Sequence, residues 1–273
     1  MDYVQNEESI QISIIMATYN CEDTIIDAIN SILHQSFTKW EFVICDDCST
    51  DHTYRILESY QEQYPDKFFI IRNEYNSKLP YSLNRCLKMA RGKYIARMDS
   101  DDISLPDRLQ KQYDYLECHP EYHVVGCSMI RFDENGEYDK YEAVNNPNKY
   151  TLIKEVPFCH ATIMMRKTTY DALDGYVVSK RTERGQDLDM WFRFYAKGFS
   201  GNNISEALYK VCEDRKAIKR RRIKYDIYLV QTRYIGFKLL GFPKSKYIYI
   251  LKPIVSRIVP RKMKLYLRRT GRL

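Results

Sequence analysis

Asp99, Asp101 and Asp102 crowd into four residues directly after the short apolar run Tyr94-Ile95-Ala96. That run reads as a strand, so the carboxylates fall at the carboxyl edge of a sheet, where open α/β folds bind ligands. Like charges this close repel, and the cluster is costly without a cation among them. Hard oxygen donors favour Mg²⁺ or Mn²⁺, typically shared with a substrate phosphate. The plain alternative is a solvated acidic turn, or a cap for a helix after Leu105-Pro106-Asp107-Arg108. A second stretch, Thr18-Tyr19-Asn20, ends another strand-like run and resembles a nucleotide-binding edge, but it lacks glycine. Neither GxGxxG nor GxxxxGK[ST] occurs, which weighs against a Rossmann dinucleotide site and a P-loop. A nucleotide diphosphate held here would have to be neutralised by a metal and by side chains.

The elements that position these residues follow from periodicity. Ile12 to Ala17 reads as a buried strand. From Glu22 to Gln35, apolar residues at Ile25, Ile29, Ile32 and Leu33 make the stripe of an amphipathic helix, with Asn20 as a candidate cap. Trp40 to Cys45 reads as a strand, followed by the turn Asp46-Asp47-Cys48-Ser49 and a helix ending near Tyr64-Pro65. Phe68 to Ile71 is a third strand, Pro80 to Ala90 a helix, and Tyr94 to Met98 a fourth strand. This βαβαβαβ order predicts a mostly parallel sheet covered by helices on both faces. Beyond it, Pro106 to Glu117 reads as helix and Tyr122 to Arg131 as strand, with a hairpin turn at Asp133-Glu134-Asn135-Gly136. Segment 139–156 reads as polar and irregular, Ala161 to Met165 as strand and Gln186 to Lys197 as helix.

Composition bounds the rest. The 273 residues are 44% hydrophobic and 29% charged, which marks a folded, soluble chain of one large or two small domains. No apolar run approaches the roughly 18–20 residues of a membrane-spanning helix. The first eight residues are acidic and polar, the reverse of a secretory signal, and point to the cytoplasm. Eight scattered cysteines fit reduced, half-buried thiols; Cys45 and Cys48 have CxxC spacing, but no second pair follows. The net charge of +7 hides a division. Residues 214–273 hold 19 Lys+Arg against Asp214 and Asp226, while the remainder carries 24 Lys+Arg and 34 Asp+Glu.

Ile14-Ile15-Met16-Ala17-Thr18-Tyr19-Asn20, Cys45-Asp46-Asp47-Cys48-Ser49-Thr50-Asp51 and Arg97-Met98-Asp99-Ser100-Asp101-Asp102 together resemble a family 2 glycosyltransferase. Pro106-Asp107-Arg108-Leu109 and Arg184-Gly185-Gln186-Asp187-Leu188-Asp189 extend the likeness, which covers roughly residues 10–213. The resemblance implies a GT-A fold over that range and an inverting enzyme that uses a nucleotide-sugar donor. It places Thr18, Tyr19, Asn20 and Asp47 at the donor, with Tyr19 stacking on a uracil ring and Asp47 accepting its N–H. Asp99 would lie near ribose or metal, Asp101 would be the direct ligand of Mn²⁺ or Mg²⁺, and Asp102 would support the loop. Asp187 matches the general base, with Asp189 a weaker candidate. Gln186 stands where many relatives carry Glu, and His160 matches an acceptor-side histidine. No histidine follows residue 160, so the carboxylates and the diphosphate would have to hold the metal without one. Lys78, in the loop Asn76-Ser77-Lys78-Leu79, is a candidate for the diphosphate, with a solvated surface role as its alternative.

Residues 214–273 interleave cations with Tyr, Ile, Leu and Phe, a pattern that fits helices lying on an anionic membrane surface. A solvated helical subdomain is the plain alternative, and no nucleic-acid module precedes the segment. The expectation is therefore a peripheral enzyme at the inner face of the membrane. It would move a sugar from a UDP-sugar to a lipid-linked glycan acceptor in surface polysaccharide synthesis. The competing expectation is a noncatalytic membrane-associated or glycan-binding protein that keeps the fold.

Overall fold

A computed structural model of the chain describes residues 10–212 and 223–258. Strands β1 (Ile12–Thr18), β2 (Trp40–Asp46), β3 (Phe68–Arg72) and β4 (Tyr94–Arg97) alternate with helices α1 (Ile25–Leu33), α2 (Thr53–Gln63) and α3 (Leu79–Met89). The four strands are parallel in the order β3-β2-β1-β4. That is the predicted βαβαβαβ unit. Alternate residues of β1 serve the two faces: Ile12, Ile14 and Met16 pack under α1, and Ile15 packs under α3.

The sheet continues into a mixed half. After the two-residue β5 (Ile103–Ser104) and α4 (Arg108–Cys118) come β6 (Val124–Asp133), β7 (Gly136–Tyr141) and the short helix α5 (Thr151–Lys154). Then follow β8 (Met164–Arg166), α6 (Lys167–Ala172), α7 (Gln186–Ala196) and β9 (Gly201–Cys212). β8 joins β4 to β6 and runs antiparallel to both, while β6 and β9 are parallel. Three expectations need correction. Segment 139–156 is not wholly irregular, because β7 runs to Tyr141 and α5 lies within it. The strand expected over Ala161–Met165 begins only at Met164; a 3₁₀ turn, His160–Thr162, precedes it. Finally, α1 starts at Ile25 rather than Glu22, and Asn20 does not cap it. Asn20 sits at a φ of 49° and accepts the Thr50 backbone N–H instead.

Helices α8 (Ile223–Leu239) and α9 (Lys252–Ile258) end the described chain, with a 3₁₀ segment, Lys244–Leu251, between them. Phe237 of α8 and Phe192 of α7 meet in the same core cluster. Gly236 lets the two helices close: a Cβ there would stand 2.1 Å from Phe192 Cγ. The basic runs at 215–222 and 259–273, and the acidic start at 1–8, lie outside the described residues.

Candidate active site

The carboxyl ends of β1, β2 and β4 bring the first group of residues together. Thr18 is buried; its carbonyl accepts the Asp47 backbone N–H at 2.8 Å and its hydroxyl reaches Asp46 at 3.3 Å. Asn20 ties the β1 loop to the β2 loop through Thr50 and Ser49. Tyr19, between them, is the exposed member, at 49%. Asp47 is buried and accepts from Asn73 Nδ2, Ser77 N and Lys78 N, at 2.7, 2.7 and 2.9 Å. A carboxylate offers about four lone-pair sites, so these three bonds leave room for one more donor. Lys78 pays for its place with a φ of 74° and ψ of 161°, a region nearly reserved for glycine. Its ammonium donates to Asn76 Oδ1 at 2.6 Å.

The acidic cluster follows β4, which lies beside β1 in the sheet. Asp99 is half-buried and pairs with the guanidinium of Arg97, which is itself buried. The Asp99 N–H donates to Tyr209 Oη at 3.1 Å, and the Tyr209 ring carries the Arg108 guanidinium 4.7 Å from its centroid. Arg108 donates to the Arg97 carbonyl at 2.7 Å, so β4, α4 and β9 all fix the loop. Asp101 is exposed at its tip. Asp102 is buried and accepts the Cys212 N–H at 2.8 Å. Burial, with the charges of Asp99 and Asp101, holds its carboxyl well above the ordinary 3.8.

Asp99 and Asp101 thus present carboxylates on the same short loop as this buried acid. The donors are hard oxygens, and they fit a small divalent ion. Among the described residues no group of three or more His, Cys, Asp or Glu forms a protein-only cage. An ion on two carboxylates would need further oxygens, from substrate or water, to complete its shell. Lys210 of β9 pairs with Glu137 at 2.6 Å.

On the far side of Arg97 lies the start of α7. Gly185, at a φ of 113°, precedes it, and Gln186 is buried with its Oε1 accepting the Gly185 N–H at 3.1 Å. Asp189 is clamped by Arg181 at 2.6 Å and by Arg193 at 2.8 Å. No Lys or Arg pairs with Asp187 among the described residues. Burial raises its carboxyl above 3.8, while the Leu188 N–H and the Arg97 charge pull the other way and Asp99 adds to the rise. His160 is buried, with its Nε2 2.7 Å from Tyr176 Oη and its ring edge-on to Trp191. Burial and then Arg97 hold His160 well below 6.5, so the ring is neutral.

Arg97 thus lies within electrostatic reach of Asp99, Asp187 and His160 together. Its importance was not drawn out of the sequence, although it opens the quoted acidic motif. Tyr176 and Tyr209 were missed too. Each is an isolated tyrosine, and no local pattern distinguishes it from a core aromatic. Tyr176 is set by Asn84, which bonds both its N–H and its carbonyl at 2.8 Å.

The family model "Glycosyl transferase family 2" matches residues 13–173, more than half of the chain. The chain belongs to glycosyl transferase family 2. This glycosyltransferase is 46% identical to EpsE of Bacillus subtilis (strain 168), itself named as a glycosyltransferase, over 92% of this chain and 90% of that one. It is 27% identical to the Escherichia coli UDP-Glc:alpha-D-GlcNAc-diphosphoundecaprenol beta-1,3-glucosyltransferase WfaP, over 73% and 77% of the two chains. In shape it is similar to S. aureus TarS 1-349 in complex with UDP-GlcNAc, with a TM-score of 0.69 at 22% identity, covering 88% of this chain and 70% of that one. The glycosyltransferase therefore has the GT-A fold expected of its motifs.

Proposed function

We propose that this glycosyltransferase moves a sugar, with inversion, from a UDP-sugar to a lipid-linked glycan acceptor in surface polysaccharide assembly. The observation that carries the reading is the contrast on the first turn of α7. Asp189 is held by two arginines, whereas Asp187 has no such partner among the described residues and feels the same Arg97 as Asp99. Asp187 is thus a basic carboxylate beside the acidic cluster. UDP-sugars and a diphosphoundecaprenol-linked acceptor are the substrates in the names of TarS and WfaP, which supports this substrate class.

In this reading Asp187 takes the proton of the acceptor hydroxyl as that oxygen bonds to the anomeric carbon opposite the nucleotide. The bond from that carbon to the diphosphate oxygen breaks, UDP departs with the electron pair, and the configuration inverts. Tyr19 stacks on the uracil and Asp47 takes its ring N–H at the remaining lone-pair site, with Thr18 and Asn20 holding the two loops in register. Asp99 and Asp101 would hold Mn²⁺ or Mg²⁺, which would supply positive charge against the diphosphate. Arg97 keeps Asp99 oriented, and Asp102 anchors the loop to β9. Gln186 borders the acceptor side. Neutral His160 acts there through Tyr176. Residues 10–213 make the catalytic domain and 214–273 an extension that faces the inner surface of the membrane.

The test is a panel of nucleotide sugars offered to purified protein with Mn²⁺, reading released nucleotide. UDP release from at least one UDP-sugar is expected, together with its loss in Asp101→Ala at unchanged thermal stability. Release from no nucleotide sugar across a range of acceptors, or full activity in Asp101→Ala, overturns the reading.

A further inference from the structure

Helix α8 is built inside out. Its buried side holds Asp226, Thr232 and Arg233 beside Gly236 and Phe237, while Ile223, Ile227, Tyr234, Ile235 and Leu239 are exposed. The buried polar side chains find partners inward, with Arg233 Nε alone among their atoms left without a hydrogen bond among the described residues. Asp226 pairs with Arg257 at 2.8 Å, Arg233 donates to the carbonyls of Leu152 and Ile153, and Thr232 accepts from Arg181. A helix that only needed a core would present the opposite arrangement to water. The apolar surface continues beyond α8: Ile248 is 69% exposed, and Leu251, Ile254 and Val255 are exposed as well. A groove of about 350 Å³, lined by Val230, Gln231, Tyr234, Ile235, Ile250 and Arg181, lies in the same surface.

We infer that this outward face of α8 and the 244–255 segment docks on an anionic lipid bilayer, beside the acceptor end of the active site. Charge complementarity selects the occupant. Lys224, Lys238, Lys244 and Lys246 are exposed among the apolar residues. Asp226 is the single acid in 223–258, and it is buried against Arg257. Branched aliphatics and tyrosine ringed by cations, with no exposed acid, match an interfacial helix that inserts shallowly while its lysines meet headgroups. No described helix is long and apolar enough to cross a membrane, so the face lies on the bilayer rather than through it.

The placement has a catalytic consequence. Leu229 of α8 packs so close to Gly185 that a Cβ there would stand 2.6 Å from it, and Arg181 joins Thr232 of α8 to Asp189 of α7. The docking face is thereby fixed rigidly to the turn that carries Asp187. This inference deepens the proposed function, since a lipid-linked acceptor would then arrive at the base from the bilayer. The docking itself stands or falls separately.

The experiment is flotation of the full chain with vesicles of phosphatidylcholine alone or with added phosphatidylglycerol. UDP release with a water-soluble acceptor is read on the same preparation. The wild type is expected to float with the anionic vesicles and much less with the neutral ones. Raising NaCl from about 0.1 M to about 1 M should weaken the binding as headgroup attraction is screened. The neutral triple substitution Ile227→Gln/Ile235→Gln/Ile248→Gln should lower partitioning about tenfold, at unchanged melting temperature and unchanged UDP release. Three outcomes overturn the inference: no flotation of the wild type, undiminished flotation of the triple variant, or a wild-type dimer that the triple substitution dissociates without any vesicle binding. Flotation without UDP release would instead count against the proposed function and leave the docking face intact.

Discussion

Asp187 and Asp189 stand two residues apart on the first turn of α7, and their surroundings divide their roles. Two half-buried arginines hold Asp189, and its loss would leave them without their counter-ion. Asp187 is raised chiefly by burial, so Asp187→Asn removes a charge that the fold tolerates at a cost. Transfer should drop about 10²–10⁴-fold in that variant, while thermal unfolding shows a melting temperature equal to or above wild type. A large fall in melting temperature would make Asp187 a structural group. At Lys78 the prediction runs the other way. Glycine relieves the positive φ, so Lys78→Gly should gain about 1 kcal/mol in urea unfolding; a loss would show that its ammonium outweighs the strain. His160 gives a pH signature. The fold holds it below 6.5, so the unfolded chain binds more protons under that pH. Its contribution is therefore full above about 6.5 and fades as pH falls. The stability of wild type relative to His160→Gln, measured by urea unfolding, should decline between pH 7 and pH 5, and a flat difference would refute the buried neutral ring.

At the scale of elements, the packing of α8 on α7 leaves no slack. Gly236→Ala adds a methyl that helix propensity favours by about 1 kcal/mol, yet its Cβ would overlap the Phe192 ring. Overpacking should win, with a net loss of about 1–3 kcal/mol in chemical denaturation; a stabilised variant would show that α8 rides loosely. The parallel half of the sheet was legible from residue order because each strand is a short apolar run and each helix a 3.6-period stripe. The mixed half was less so. β5 has two residues and β8 three, too few for a period to register, and the His160–Thr162 turn hides within an apolar run. The acidic cluster, Tyr19 and Asp187 were legible as motifs. Arg97, Tyr176 and Tyr209 were not, because their roles come from contacts between β4, the loop before α7 and β9. Helix α8 was legible as basic and apolar, but which residues face outward depends on the fold beneath it.

Across the whole molecule, charge and chemistry are separated. The acidic body carries the candidate donor site at the sheet edge, and the cationic extension carries the apolar face, with α7 joining the two. If the α8 face docks as inferred, this arrangement would give the enzyme one orientation in which Asp187 meets an acceptor held in the bilayer. The central claim is transfer with inversion from a UDP-sugar, with Asp187 as the base. The most direct measurement is NMR of the product formed from an α-linked UDP-sugar and a short lipid-diphosphate saccharide. A β-linked product from the wild type, and none from Asp187→Asn, is the predicted result. An α-linked product, or equal yield from Asp187→Asn, would contradict it.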